Sequence, residues 1–255
     1  IKRVFLIYVF NSITYDTLVN LKSMSQYSII IPTFNEKKNI PILINKINKF
    51  IKNKNYEIIV VDDNSNDGST PVLYDIKKKY KKFSFYIRKA KMRDLSKSII
   101  FGVQKSKFNN LIVMDGDLQH NPKYLPILIK KFNTEKQDVL VAVRNFKKRS
   151  GLSFFRFFMS LSLINLINLI FEKKTTDPMS GFFVIKKKLF FLNKKKLYGK
   201  GFKILFDLVY NNHNIIVTDH LIKFDLRRNN KSKMNLKVIY HLIISIIKKI
   251  VFKLT

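Results

Sequence analysis

Residues 110–120 read Asn-Leu-Ile-Val-Met-Asp-Gly-Asp-Leu-Gln-His, a short apolar run that ends in two aspartates separated by a glycine. A continuous apolar run of this length is typical of a strand buried on both faces of a parallel sheet. Asp115 and Asp117 at the end of such a strand can direct their oxygens to one divalent cation, and Gly116 lets the backbone approach a ligand closely. Taken alone, the pair is more typical of a capped turn.

The rest of the chain repeats the same order of strand, loop and helix. Further strands are predicted at Tyr27–Ile31, Glu57–Val61, Phe83–Ile87 and Asp138–Val143. Helices are predicted to begin near Pro41, Pro71 and Pro122, and to cover Leu95–Ser106. This alternation predicts an α/β fold with a mostly parallel, doubly wound sheet and helices on both faces, in which ligands lie at the carboxyl ends of the strands.

A second group of acidic residues follows the second predicted strand. Residues 62–69 read Asp-Asp-Asn-Ser-Asn-Asp-Gly-Ser and hold three of the 17 acidic residues of the chain. An Asx-rich turn that caps the next helix would explain this segment by itself. Because both acidic segments fall at the same edge of the predicted sheet, together they favour a site for a nucleotide and a divalent metal.

Several segments, in chain order, resemble the motifs of inverting family 2 glycosyltransferases of GT-A fold. These are IPTFNE at 31–36, VVDDNSNDGS at 60–69 and MDGDLQH at 114–120. The polyprenyl-phosphate branch of that family, which includes dolichyl-phosphate mannose synthases, is the most similar. The residues for this are DPMSGF at 177–182, KGFK at 200–203, and Arg227 with KSKM at 231–234. The resemblance runs from about Tyr27 to Met234.

The resemblance implies a complete donor site. The residues implied for binding the nucleotide sugar are Pro32, Phe34, Glu36, Val61, Asp63, Asp115, Gly116, Asp117, Gln119, Arg144, Arg227 and Lys233. Mg²⁺ or Mn²⁺ would be held by Asp115, Asp117 and Gln119, and the catalytic residues would be Asp117, Arg144 and Arg227. The chain departs from the family at Phe34, where Tyr is usual, at Phe183, where Arg is usual, at Asn230, where Gly is usual, and at residues 93–96, which replace a glycine-rich turn.

The implied reaction transfers a monosaccharide with inversion from a nucleoside-diphosphate sugar to a polyprenyl monophosphate, dolichyl or undecaprenyl. GDP-mannose is favoured as the donor, with UDP-glucose as an alternative donor and a growing polysaccharide as an alternative acceptor. The residues expected to bind the acceptor are Lys147, Arg149, Ser180 and Lys203, although the basic run at 147–149 is also typical of a solvated surface. His120, beside the aspartate pair, is a further candidate for contact with the site.

Composition narrows the class of protein. The chain has 49 basic and 17 acidic residues, a net charge of +32, which would attract nucleic acid, anionic lipid headgroups or a phosphorylated substrate. A nucleic-acid-binding protein gives no reason for carboxylates at strand ends, so we expect no nucleic-acid partner. The absence of cysteine from this chain excludes disulfides, thiol nucleophiles and cysteine-ligated metals.

Three segments are expected along the chain: an extension outside the fold at 1–26, a GT-A domain at 27–235 and an amphipathic helix in the membrane interface at 236–255. In the last segment the polar residues gather in one stripe, formed by Lys237, His241, Ser245, Lys248 and Lys249. A helix packed on the domain's own core would show the same pattern. If the helix lies in the membrane interface, we expect a peripheral protein at the cytoplasmic face of a membrane, with a membrane subunit as a candidate partner.

Overall fold

A computed structural model describes nine stretches of the chain, which are residues 25–52, 55–89, 93–144, 154–192, 197–198, 204–211, 214–225, 244 and 246–249. At 154–157 and 159–160 the description covers the backbone only. The predictions for residues 1–24 and for Lys147, Arg149, Lys203, Arg227 and Lys233 fall outside these stretches.

Seven strands and seven helices are assigned in the described residues. The strands are β1 (Tyr27–Thr33), β2 (Tyr56–Asp62), β3 (Phe83–Ile87), β4 (Asn110–Val113), β5 (Val139–Arg144), β6 (Phe183–Lys186) and β7 (Val217–Ile222). The helices are α1 (Ile40–Phe50), α2 (Ser69–Lys79), α3 (Leu95–Lys105), α4 (Leu125–Thr134), α5 (Phe154–Ile170), α6 (Lys188–Leu192) and α7 (Ile204–Tyr210). A 3₁₀ turn at Pro122–Tyr124 precedes α4, so the helix predicted from Pro122 begins as this tighter turn.

The strands form one sheet in the order β3-β2-β1-β4-β6-β5-β7. Strands β1 to β4 are parallel, and β5 pairs with β7 in parallel. Strand β6 lies between β4 and β5 and is antiparallel to both. The mostly parallel α/β sheet with helices is therefore confirmed, whereas β6 and β7 were not predicted.

The two faces of the sheet bury different side chains because alternate residues of a strand point to opposite faces. On β1, Ile29 and Ile31 belong to the same apolar cluster as Leu43 and Ile47 of α1. Ile30 lies between them in sequence and belongs to the cluster that contains Val103 of α3. All of these side chains are buried, and each stabilises the fold by about 1.5–3 kcal/mol relative to an exposed position.

A third, smaller cluster joins α5 and α7 to the C-terminal segment, by which we mean residues 244 and 246–249. Its buried members are Ile164, Ile167, Phe171, Met179, Phe206 and Ile246. Lys249 is buried beside this cluster rather than facing outward with Lys248. The prediction that these two lysines share one outward-facing stripe is therefore wrong for Lys249, because its ammonium pairs with a buried carboxylate, Asp207.

No helix within the described ranges combines the length and the apolar character needed to cross a membrane.

Candidate active site at one edge of the sheet

The polar loops of the chain meet at one edge of the sheet. The carboxyl ends of β1, β2 and β4 lie at this edge because these strands are parallel. Strand β6 runs the opposite way, with Val113 of β4 opposite Phe183 of β6, so the start of β6 lies beside the end of β4. The loop before β6, residues 177–182, is thereby brought to the same edge.

Hydrogen bonds join the loops after β1 and β2. The Asp63 N–H donates to the Thr33 carbonyl at 2.8 Å, and the Asn35 N–H donates to Ser65 Oγ at 2.7 Å. Asp62 is fully buried and accepts from Ser65 Oγ at 2.6 Å and Ser65 N–H at 2.8 Å. Asp62 therefore builds the turn but does not cap α2, whose N-cap residue is Gly68, and Asp63 is the aspartate that remains a candidate for ligand contact.

Asp63 is fixed by two neighbours that the sequence did not indicate. Its carboxylate forms an ion pair with Arg88 and accepts a hydrogen bond from the Asp94 N–H at 2.6 Å. Burial raises the pKa of the Asp63 carboxyl, and the Asp94 N–H and the Arg88 guanidinium oppose this effect. The position of the carboxylate is thus set before any ligand binds.

The turn that replaces the family's glycine-rich segment also has a structural role. The Asp94 side chain caps α3 by accepting from the Lys97 N–H at 3.1 Å. The preceding residue, Arg93, places its guanidinium carbon 4.8 Å from the centroid of the Phe34 ring. This cation–π contact joins the turn at residues 93–96 to the loop that follows β1.

The loop that carries the aspartate pair, residues 114–121, is held by its own side chains. The Asp115 N–H donates to His120 Nδ1 at 3.0 Å, and the Gln119 N–H donates to Asp117 Oδ1 at 3.1 Å. Leu118 between them has φ +67°, a left-handed conformation that is costly for a side chain of this type. Strain of this kind is frequent at functional sites, where surrounding contacts hold the backbone in place.

Two glycines allow close approach to this loop. A Cβ on Gly116 would lie 2.9 Å from Thr33 Cγ2, so a glycine is needed for the aspartate loop to contact the β1 loop. A Cβ on Gly181 would lie 2.6 Å from one carboxylate oxygen of Asp115 and 2.9 Å from the other. The backbone before β6 therefore packs directly on the Asp115 carboxylate.

Arg144 at the end of β5 is oriented by Asp177. Its Nε donates to Asp177 Oδ2 at 2.8 Å, and its Nη2 donates to Oδ1 at 3.2 Å. The Asp177 carboxylate is fully buried, and the guanidinium carbon lies 5.6 Å from the centroid of the Phe224 ring. A bidentate pair of this kind fixes the plane of the guanidinium as well as its position.

The donor atoms of the aspartate pair suit a hard cation. Mg²⁺ is usually held by one or two carboxylates together with substrate phosphates and water. Asp115 keeps one third of its side chain exposed, and the described residues contain no group of three or more His, Cys, Asp or Glu that could hold a metal. Asp115 and Asp117 therefore fit a cation shared with a bound diphosphate better than a metal held by protein alone.

The family model of glycosyl transferase family 2 matches residues 28–191, which include every loop described above. The chain belongs to glycosyl transferase family 2. Residues 28–191 form 164 of the 255 residues, so the family domain is the greater part of the chain.

Two family relatives share the name dolichol-phosphate mannosyltransferase. The chain is 32% identical to the protein from Pyrococcus furiosus over 217 residues, covering 84% of this chain and 60% of that protein. It is 29% identical to the protein from Mycosarcoma maydis over 225 residues, covering 84% of this chain and 75% of that protein. The chain thus spans less than two thirds of the length of the Pyrococcus relative.

A solved structure shares the fold. Glucosyl-3-phosphoglycerate synthase from Mycobacterium tuberculosis, in complex with Mn²⁺, UDP-glucose and phosphoglyceric acid, superposes with a TM-score of 0.66 at 16% identity. The match covers 88% of this chain and 81% of that chain. The family 2 fold expected from the sequence is confirmed.

Most of the predicted donor residues within the described ranges lie at this edge, in the last residues of strands or in the loops that follow. They are Pro32, Phe34, Glu36, Asp63, Asp115, Gly116, Asp117, Gln119 and Arg144. Val61 differs, because its side chain is fully buried against the position of Gly102 in α3. Any contact of Val61 with a nucleotide would have to use its backbone.

Ser180, which was predicted to bind the acceptor, makes hydrogen bonds within the protein. Its hydroxyl donates to the Ala142 carbonyl at 2.8 Å and accepts from the Phe182 N–H at 3.1 Å. The side chain is buried and shapes the loop, so the geometry does not favour direct contact of Ser180 with an acceptor.

Sequence reasoning missed Arg88 and gave no function to Asp94. Arg88 directly follows β3, and its position at the end of a parallel strand was a signal that could have identified it. The Asp94 contact with Asp63 joins residues 31 positions apart and had no such signal. His120, a candidate for contact with the site, is stacked on Phe182 and accepts a hydrogen bond from the Asp115 N–H.

Proposed function

We propose that this family 2 member transfers a monosaccharide, with GDP-mannose as the favoured donor, to a polyprenyl monophosphate with inversion at the sugar carbon. The observation that carries the proposal is the aspartate loop, with Asp115 packed against the loop before β6 and Arg144 oriented by Asp177 at the same edge. The names of the two mannosyltransferase relatives support the choice of sugar and of lipid acceptor.

On the donor side, the base and ribose would lie between Phe34 and Asp63. Phe34 offers a ring face backed by Arg93, and Asp63 offers a carboxylate held by Arg88. Mg²⁺ or Mn²⁺ at Asp115, Asp117 and Gln119 would supply positive charge to the diphosphate when bound.

The reaction needs charge stabilisation more than proton transfer. An oxygen of the acceptor phosphate attacks the anomeric carbon, the bond from that carbon to the diphosphate oxygen breaks, and the electron pair leaves with the diphosphate. We propose that Arg144 neutralises part of the growing negative charge, and its fixed orientation against Asp177 supports this role. Since the attacking phosphate is already anionic, the proposal assigns no general base.

Chain connectivity supports a role for Arg227. The Asp225 N–H donates to the Gln119 carbonyl at 3.0 Å, and the Asp225 carboxylate accepts from Asn121 at 2.7 Å. Arg227 follows Asp225 by two residues in the sequence. We propose that Arg227 and Lys233 contact the diphosphate, and that Lys147, Arg149 and Lys203 contact the acceptor phosphate.

We also propose that the protein works as a peripheral protein at the cytoplasmic face of a membrane. Phe158 and Leu169 on α5 are 60% and 85% exposed, so this helix offers large apolar side chains that could enter a membrane interface. The net charge of +32 would attract anionic lipid headgroups to such a surface.

The test gives the purified chain radiolabelled GDP-mannose or, separately, UDP-glucose, with Mn²⁺ and undecaprenyl or dolichyl phosphate. Label that enters the organic phase with GDP-mannose supports the proposal, and label that enters only with UDP-glucose replaces the donor. Metal-dependent donor binding without transfer to either lipid would overturn the lipid acceptor and favour a different one, such as a polysaccharide.

A pair of aspartate variants serves as the internal control. Asp117→Ala removes a proposed cation ligand, whereas Asp75→Ala removes a carboxylate on the exposed surface of α2. Only the first is expected to abolish transfer.

A further inference from the structure

We propose that Lys249 is a positioning residue for the end of the site that would hold the diphosphate. It acts by tying the C-terminal segment to α7 and, through the third apolar cluster, by holding the loop at residues 177–182. The role in sugar transfer rests on the proposed function, whereas the role in holding the loop does not.

Lys249 makes a set of contacts that fixes its place. Its ammonium lies 3.3 Å from Asp207 Oδ1, 3.4 Å from the Asp207 carbonyl oxygen and 2.5 Å from Asn211 Oδ1. The side chains of Lys249 and Asp207 are only 7% and 3% exposed. Burial lowers the pKa of Lys249, and the Asp207 carboxylate opposes this effect. A pair this deeply buried tolerates little displacement, because a charge separated from its partner would remain away from water.

The same segment reaches the loop through apolar contacts. Ile246, one helical turn before Lys249, is 4% exposed and packs in the cluster that contains Phe206 and Met179. The Lys249 ammonium also lies 5.3 Å from the centroid of the Phe206 ring. One face of the C-terminal segment therefore supports Met179, which belongs to the loop before β6.

From Met179 the loop continues directly to the aspartate pair. The Ser180 N–H donates to the Asp177 carbonyl at 3.1 Å, and the next residue, Gly181, packs on the Asp115 carboxylate. Asp177 in turn orients Arg144. Displacement of Met179 would therefore move both the Asp115 carboxylate and the Arg144 guanidinium.

This arrangement changes the expected effect of removing the C-terminus. A membrane anchor alone could be removed without disturbing the catalytic domain. In this protein Ile247 and Lys248 of the C-terminal segment are exposed, whereas Ile246 and Lys249 are buried with the third apolar cluster. Removal of the segment would therefore also remove buried contacts of the catalytic domain.

The test compares Lys249→Met with Lys248→Met in the full chain. The two substitutions are chemically identical and adjacent, but Lys248 is exposed and lies over the Tyr198 ring. Hydrogen exchange is measured at the amides of Ser180 and Phe182, with the amides of Asp63 and Ser65 as the comparison on the donor side. We expect exchange about tenfold faster at Ser180 and Phe182 in Lys249→Met only, with no change on the donor side.

Steady-state kinetics give the second measurement. With Mn²⁺, GDP-mannose and undecaprenyl phosphate, we expect kcat/KM for the lipid to fall by about 10- to 100-fold in Lys249→Met. The Kd for GDP, measured by calorimetry with Mn²⁺, should rise in Lys249→Met and stay within about twofold in Lys248→Met, because the displaced loop packs on Asp115 and orients Arg144.

The outcomes separate the two proposals. Equal acceleration of all four amides would mean that Lys249 supports only global stability, and unchanged exchange at Ser180 and Phe182 would also overturn its positioning role. Absence of sugar transfer in the unsubstituted chain would overturn the proposed function and leave the exchange result to decide the role of Lys249. If Lys249→Met does not fold, Ile246→Ala keeps the ion pair, removes a buried member of the cluster that contains Met179, and is expected to give the same local pattern of exchange.

Discussion

Gly181→Ala gives the sharpest test of the site, because the structure fixes what the added methyl group would meet. The Cβ would lie 2.6 Å from a carboxylate oxygen of Asp115, whereas ordinary contacts begin at 3.4 Å. The carboxylate must therefore retreat by about 0.8 Å. Since Gly181 is outside the left-handed region, the backbone itself adds no strain.

The expected result is a loss of activity with little loss of stability. The displaced group is the end of a partly exposed side chain, so the free energy of unfolding should change by less than about 1 kcal/mol. A displacement near 1 Å in a reacting assembly costs up to about 100-fold in rate. We expect kcat/KM to fall by about 10- to 100-fold, which corresponds to about 1.4–2.7 kcal/mol of transition-state stabilisation.

The assay measures transfer at several Mn²⁺ concentrations, and urea unfolding gives the stability of the same preparation. Gly102→Ala is the matched control, because its Cβ would lie 2.6 Å from the buried Ile30 side chain in the core. That clash should cost about 1–3 kcal/mol of stability, offset by about 1 kcal/mol of helix propensity, and leave kcat/KM of the folded protein intact. Full activity of Gly181→Ala at all Mn²⁺ concentrations would refute the role given to the Asp115 carboxylate.

Three further predictions concern single residues. Asp117→Ala should lower Mn²⁺-dependent transfer by at least about 100-fold because a proposed cation ligand is lost, and unchanged Mn²⁺ dependence would contradict the site assignment. Asp177→Ala should cost about 3–5 kcal/mol in urea unfolding because the largely buried Arg144 loses its partner, and a change below about 1 kcal/mol would show that the pair is not needed for the fold. Burial, with a contribution from Lys131, lowers the pKa of His220 below its ordinary value of 6.5. As the pH falls below 6.5, the unfolded chain therefore binds a proton at this histidine before the folded chain does, and the free energy of unfolding should decrease. In His220→Gln the urea midpoint should depend less steeply on pH between 7.5 and 5.0, and an identical slope would exclude this histidine as the source.

Strands β1 to β5 could be predicted from the sequence because each is a run of apolar residues bounded by polar turns. Ile29–Ile31 and Ile58–Val61 are buried on both faces, and burial on both faces removes the need for polar residues in the strand. Strand β7 escaped prediction because it is an edge strand with three consecutive polar residues, Thr218, Asp219 and His220, so its sequence gives neither an apolar run nor an alternating pattern. Strand β6 has only four residues beside a lysine-rich segment, which is too short for a periodic pattern.

The sequence by itself determined the fold class and the loops that carry the site, since strand ends and acidic turns are local features of the chain. The sequence could not distinguish the roles of Asp62 and Asp63. Asp62 accepts a hydrogen bond from Ser65, whereas Asp63 forms an ion pair with Arg88, and these partners are known only from the structure. Only the tertiary structure placed Gly181 on Asp115, oriented Arg144 through Asp177 and turned Lys249 inward to Asp207. These contacts join residues separated by more than 30 positions, and such pairings depend on how strands and helices pack rather than on any local pattern of residues.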